Sequence, residues 1–210
     1  MAETKSIRRL MVATKNPGKI REFRDLLGDL PFELVPADAM PEVEETGATF
    51  EENASLKARA AAEWSGEWSL ADDSGLEVDA LGGAPGVHSN RYWGDGTSEA
   101  HRNEYLLRDL ASVPAERRTA RYRAVVALAG PDGRIWLFEG ACEGVIQVEP
   151  RGQNGFGYDP HFFMPEFGQT MAELDPGLKN EISHRGHAFR AALPYLERLA
   201  NGDIDTEGHR

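Results

Sequence analysis

Leu10-Met11-Val12-Ala13-Thr14-Lys15-Asn16-Pro17-Gly18-Lys19 joins an apolar run to a polar stretch that carries proline and glycine. Four apolar residues that stop at such a break predict a short buried strand and then a loop. Ile20, Phe23 and Leu27 follow at helical spacing. Pro17 suits the first turn of that helix, where its missing N–H would be unpaired anyway. Strand, loop and helix in this order open an α/β chain, and the rest continues in kind. Thr49 and Glu52 form a capping box ahead of a second helix whose Phe50, Ala54, Ala58 and Ala61 make one stripe of mostly small, close-packing residues. Ser69-Leu70-Ala71 reads as a strand end running into Asp72-Asp73-Ser74-Gly75, and a helix from Ser98 to Ala111 carries Leu106, Leu107 and Leu110. Residues 120–130 and Ile135-Trp136-Leu137-Phe138 flank a Pro131-Asp132-Gly133 turn, which predicts a hairpin, with a further strand at Val145-Ile146-Gln147-Val148. A final helix starts near His184, turns Phe189, Ala192, Leu193, Leu196 and Leu199 inward, and contains Pro194. No linker divides these elements, so one α/β unit is expected.

The 35 acidic and 23 basic side chains give a formal charge of −12. A nucleic-acid polymer or an anionic membrane would repel such a surface, so neither is expected as a partner. A chain of 210 residues is long enough to bury about 70% of its unfolded surface and hold a core without staples. Cys142 is the only cysteine, which excludes an intramolecular disulfide and suits a reducing compartment. The start of the chain has no apolar run of signal-peptide length and no segment holds 18 consecutive apolar residues. A cytoplasmic protein without a membrane span is therefore expected. Cys142 and Trp64, Trp68, Trp93 and Trp136 read as packing residues.

Four segments could carry chemistry. Thr14 to Lys19 sits between a strand and a helix start, where free backbone N–H groups and two lysines suit a phosphate. It is not a P-loop, because that pattern needs glycine at Ala13 and Ser or Thr at Ile20. Alone, it reads equally as a solvated turn. Asp72-Asp73 follows an acidic stretch over residues 38–52. Neighbouring carboxylates at a strand end point in different directions, so one can hold a hard cation such as Mg²⁺ while the other orients a water. The competing reading is an Asp pair capping a turn before Leu76. Gly152-Gln153-Asn154-Gly155-Phe156-Gly157-Tyr158-Asp159 runs G-x-x-G-x-G, the reverse of the dinucleotide fingerprint. Its glycines allow close backbone approach while Phe156 offers a stacking face for a base, or the loop is a tight turn with Phe156 in the core. Lys179 with Ser183-His184-Arg185 gathers donors at the start of the last helix, where they suit an anion or a carbonyl oxygen. Alternatively Ser183 is an N-cap with His184 and Arg185 exposed. Phosphate cradle, metal carboxylates, stacking aromatic and base-reading donors together describe a site for a nucleotide polyphosphate.

Thr14 to Lys19, Glu45-Thr46-Gly47-Ala48-Thr49-Phe50 with Glu52-Asn53-Ala54, Ala71 to Leu76, Gly82-Gly83-Ala84-Pro85-Gly86-Val87, Gly155 to Pro160 and Ser183-His184-Arg185 resemble, in order and spacing, the inosine/xanthosine triphosphate pyrophosphatases. The resemblance covers about residues 8 to 200. It implies an elongated mixed β-sheet with flanking helices and two lobes around a central cleft, in a single domain over residues 1–200. Residues 201–210 are then a flexible tail, and the protein is a homodimer. The implied reaction is hydrolysis of ITP, dITP and XTP to the monophosphate and pyrophosphate with Mg²⁺. Carried over by position, Thr14, Asn16 and Lys19 hold the triphosphate in a substrate-binding segment that includes Lys15, Pro17 and Gly18, and Lys57 adds a phosphate contact. Glu45 and Asp73, with Asp72, serve the metal. Asp73 is also the base that activates water, and Ser74 touches the substrate. Phe156, Gly157, Tyr158, Asp159, Lys179, His184 and Arg185 enclose and read the base. Lys15 stands where the family often has a small residue.

The chemistry of the base fits this implication. A 6-oxo purine presents an acceptor where adenine presents an amino group, so protein donors would pair with hypoxanthine or xanthine and face a donor in adenine. Each buried donor left unpaired costs about 1–3 kcal/mol. Two other expectations compete: a pyrophosphohydrolase for another modified nucleotide, and a nucleotide sensor without catalysis.

Overall fold

A computed structural model describes residues 7–204. The strands are β1 (Arg8–Val12), β2 (Phe32–Pro36), β3 (Ser69–Val78), β4 (Thr119–Ala129), β5 (Ile135–Ile146), β6 (Phe162–Met164) and β7 (Gln169–Thr170). The α-helices are α1 (Pro17–Leu27), α2 (Phe50–Ser65), α3 (Glu99–Asp109), α4 (Pro176–Ile182) and α5 (His184–Asn201). Among the described residues the seven strands form one sheet in the order β2-β1-β3-β4-β5-β6-β7. β1 runs parallel to β2 and β3, whereas β6 is antiparallel to β5 and β7. The sheet is therefore mixed and flanked by helices, as expected. The chain divides into two compact units, the first comprising residues up to Asp73, 125–139 and 188 onward, the second 74–124 and 140–187.

In the first unit β1, the loop and α1 follow the reading of residues 10–27. Asn16 caps α1 and Pro17 takes its first position. Half of the expected capping box ahead of α2 forms: the Glu52 N–H donates to Thr49 Oγ1 at 3.2 Å, but Glu52 Oε2 accepts at 2.6 Å from the Ala48 N–H, one residue ahead of the cap. Ala54, Ala58 and Ala61 are fully buried. That small face lets the backbones approach until Ser69 Oγ on β3 donates to the Ala58 carbonyl at 2.5 Å. From α5, Phe189 meets Phe23 of α1 with ring centroids 5.6 Å apart. The expected tail over 201–210 lies outside the described residues from 205 on. Before that point Ile204 is buried and its carbonyl accepts from Arg134 Nη1 at 2.8 Å.

The core of the second unit gathers Leu76, Leu106, Leu110, Ile146, Phe162, Met164, Met171 and Leu174. Here β3 departs from expectation. It does not stop at Ala71 but continues to Val78, so Asp72 and Asp73 are mid-strand residues and cap no turn. Leu76 and Val78 are fully buried at period 2, and that burial demands strand geometry through the acidic pair. Likewise no separate strand spans 145–148: Val145 and Ile146 end β5, and Val148 is exposed. β2 and the seven-residue α4 had no counterpart in the reading, being too short to show a period. Trp64 and Trp93 are 48% and 56% exposed, against their reading as packing residues. Trp68 and Trp136 do stack, at 5.7 Å.

Candidate active site

The first unit brings five of the anticipated charged residues into two ion-paired sets, with α1, α2, β3 and the loop ahead of α2 positioning them. Side chains alternate along β3, so Asp72 and Asp73 point to opposite faces. Asp72 Oδ2 lies 2.9 Å from Lys19 Nζ, and both side chains are nearly sealed from solvent. Asp73 faces α2, where its Oδ1 is 3.0 Å from Lys57 Nζ and its Oδ2 accepts from Asn53 Nδ2 at 3.2 Å. The same Lys57 ammonium lies 2.7 Å from Glu45 Oε1. Glu45, Lys57 and Asp73 thus form one group, which Asp72 does not join. Among the described residues no three His, Cys, Asp or Glu side chains converge as a metal cage.

Burial pushes the Asp73 carboxyl above the usual aspartate range, with Lys57 pulling the other way and Glu45 adding to the rise. For Lys57 burial works against the charge, but the carboxylates of Asp73, Asp72 and Glu45 outweigh it and hold the ammonium above its ordinary value. Together these effects keep Lys57 charged and make Asp73 a more basic carboxylate than an exposed aspartate.

The start of α1 differs from the expected cradle of free amides. Asn16 Oδ1 accepts from the Gly18 N–H at 2.8 Å and the Lys19 N–H at 3.4 Å, and Thr14 Oγ1 accepts from the Asn16 N–H at 3.2 Å. A side-chain N-cap takes the orphan donors that were expected to face a phosphate. Lys15 and Pro17 are exposed, whereas Lys19 is buried.

In the second unit Asp159 organises the glycine-rich loop. Its carboxylate accepts from the Phe156 N–H at 3.0 Å, Lys179 Nζ at 2.9 Å and Tyr122 Oη at 3.0 Å. Burial, then the Asp159 charge, holds the Tyr122 phenol protonated, so it is the donor. Lys179 stands on α4, not at the start of the last helix as anticipated. Its Nζ lies 5.0 Å from the Phe156 ring centroid, and the Arg185 guanidinium carbon lies 5.6 Å from it. Cations against an aromatic face are attracted by the ring quadrupole, and they hold Phe156 in the loop, out of the apolar core. Ser183 Oγ caps α5 by accepting from the Gly186 N–H at 3.1 Å. His184 and Arg185 are nevertheless buried, against the exposed alternative. His184 stacks on Tyr122 at 4.7 Å, and Arg185 Nη2 donates to Ser74 Oγ at 2.9 Å.

Three supporting residues escaped the sequence reading. Asn53 is fully buried; besides holding Asp73, its Oδ1 accepts from the Gly47 N–H at 2.8 Å, which ties the acidic loop to β3. Its position on the alanine stripe of α2 was the available signal. Asn103 Nδ2 on α3 donates to the Gly157 carbonyl at 3.0 Å, and Tyr158 Oη donates to the Ser89 carbonyl at 2.8 Å. Ser89 Oγ in turn accepts from the Leu76 N–H at 2.8 Å. These bonds fasten the C-terminal part of the glycine-rich loop.

The first unit thus holds buried ammonium–carboxylate pairs on a β-strand, and the second a cation-flanked aromatic loop. The chain belongs to the Ham1 family, which it matches over residues 10–195. It is 53% identical over 194 residues to a dITP/XTP pyrophosphatase of Desulforamulus reducens, covering 91% of this chain and 96% of that one. To the dITP/XTP pyrophosphatase of Geobacter sulfurreducens it is 54% identical over 191 residues, covering 90% and 96%. The solved structure of a HAM1 protein from Coxiella burnetii superposes with a TM-score of 0.81 at 42% identity, covering 95% of this chain and all of that one. No described helix is long and apolar enough to cross a membrane.

Proposed function

We propose that this protein is a pyrophosphatase for deaminated purine nucleoside triphosphates, converting dITP, ITP and XTP to the monophosphate and pyrophosphate. The observation that carries the reading is that Asp72 and Asp73, neighbours on one strand, are each buried against a different lysine. Ammonium groups that can turn to phosphates, beside carboxylates that can take a cation and a water, are the parts that phosphoanhydride hydrolysis needs. The names of the relatives, at about half identity over nine-tenths of the chain, support the choice of nucleotide.

In this reading Thr14, Asn16, Lys19 and Lys57 bind the triphosphate, with Lys15, Pro17 and Gly18 in the same segment. Glu45 and Asp73 fit Mg²⁺, which takes one or two carboxylates and fills the rest of its octahedron with phosphate oxygens and water. When bound there it supplies charge neutralisation on the phosphates. Asp73 accepts the proton of the attacking water. Phe156 stacks on the base, with Ser74, Lys179, His184 and Arg185 around the substrate, and Asp159 keeps Phe156 and Lys179 in place. Cytoplasmic residence and a homodimer complete the proposal.

Pyrophosphate release measured with Mg²⁺ across dITP, ITP, XTP, GTP, ATP and dUTP tests it. dITP, ITP and XTP are expected to exceed ATP by at least about tenfold in kcat/KM. Release from none would indicate a sensor, and preference for dUTP a different hydrolase. A second expectation concerns Gly155, whose φ of +80° suits glycine and whose added Cβ would collide with Asp159 Oδ2 and stand 3.0 Å from Lys179 Nζ. Gly155→Ala should raise KM for dITP about tenfold or more while kcat falls less, because a displaced Phe156 loses base stacking worth about 1–3 kcal/mol. An unchanged KM would exclude the loop from base binding.

A further inference from the structure

Lys57 is placed where a divalent cation would otherwise sit. Its ammonium lies 2.7 Å from Glu45 Oε1 and 3.0 Å from Asp73 Oδ1, the two oxygens assigned above to the metal. Asn53 fixes the other Asp73 oxygen at 3.2 Å. Two carboxylates this close repel one another unless a cation stands between them, and in the structure that cation is Lys57. Mg²⁺ binds carboxylate oxygens at about 2.0–2.1 Å, so it and the ammonium cannot both occupy the gap. We propose that Lys57 is a built-in counter-ion that blocks the metal position until nucleotide arrives, and that metal and triphosphate then enter as one complex in a double ion exchange.

The exchange keeps every buried charge paired. The incoming metal replaces the ammonium between Glu45 and Asp73, while the incoming phosphates replace the carboxylates around the ammonium. Lys57 can make the move because its charge ends a flexible four-carbon stem anchored on α2. Free metal alone brings only half of this exchange and would take from Lys57 both of the carboxylates that contact it, so it binds poorly. Lys57, the phosphate contact proposed above, thus couples metal binding to nucleotide binding through its own move. This rests on the assignment of Glu45 and Asp73 to the metal.

The test is Mn²⁺ binding followed by electron paramagnetic resonance, with and without a non-hydrolysable α,β-imido analogue of ITP. Nucleotide-free wild type is expected to bind Mn²⁺ weakly, and the analogue to tighten binding strongly. Lys57→Met, of similar length but uncharged, is expected to bind Mn²⁺ about tenfold tighter or more without nucleotide, and to gain much less from the analogue. Lys57→Gln, which keeps a donor for the two carboxylates, is expected to shift in the same direction and serves where the Met variant does not fold. Nucleotide-free affinity no tighter than wild type in these variants overturns the exchange. Mn²⁺ binding to wild type that persists in a Glu45→Gln/Asp73→Asn double variant overturns instead the metal assignment beneath it.

Discussion

Asp73→Asn is expected to lower kcat for dITP by about two to four orders of magnitude, the range a positioned general base supplies, with the fold intact. The loss follows from removing the group that takes the proton from water, since an amide in the same place can still accept a hydrogen bond but cannot be protonated at neutral pH. The fold survives because of how Asp73 is held. Burial raises its folded pKa above the unfolded value despite Lys57. A carboxyl with a raised folded pKa contributes stability below the unfolded pKa and loses it as pH climbs through the folded one. At neutral pH the ionised form is therefore the one that folding disfavours, and Asn imitates the neutral form. Its side-chain oxygen can still accept from Asn53, and Lys57 keeps Glu45 at 2.7 Å. The melting temperature should accordingly stay level or rise. Turnover at saturating Mg²⁺ and dITP, together with a thermal melt, checks both halves: near-normal turnover would remove Asp73 from the base role, and a large drop in melting temperature would make a low rate structural in origin.

Local features of the fold were legible because local physics sets them. The strand, loop and helix over residues 8–27 and the Thr49 cap of α2 depend on neighbours within a few positions, and both appear in the structure. The interior course of β3 was hidden because two aspartates break its apolar pattern, and what compensates them lies far away in sequence. Asp72 is compensated by Lys19 from α1 and Asp73 by Lys57 from α2. Lysines read as surface residues, and the burial of Lys19 and Lys179 follows from carboxylates that only tertiary packing brings near. The same distance effect hid the work of Asp159. As one of a run of loop residues it resembled a base reader, yet its carboxylate receives Phe156, Lys179 and Tyr122. Residue types that could serve a nucleotide were visible; which of them touch each other was not.

That distinction alters what a change at Lys19 should do. Read from sequence, Lys19→Ala removes a phosphate contact and chiefly weakens substrate binding. The structure adds a larger effect, because Lys19 and Asp72 are 2.9 Å apart with side-chain exposures of 8% and 0%. Deleting one partner of a buried ion pair leaves an uncompensated charge and destabilises by about 3–5 kcal/mol. For a chain of this length that lowers the melting temperature by about 6 °C or more. Replacing both partners with uncharged residues of similar shape removes the stranded charge, so Lys19→Met/Asp72→Asn should recover more than half of the loss. The double variant then separates the two roles of Lys19. If the ammonium also serves the triphosphate, KM for dITP stays raised in the refolded double variant even though stability has returned. If KM returns along with the melting temperature, Lys19 is a structural counter-ion for Asp72, and Lys57 and the Thr14–Asn16 segment are left to bind the phosphates.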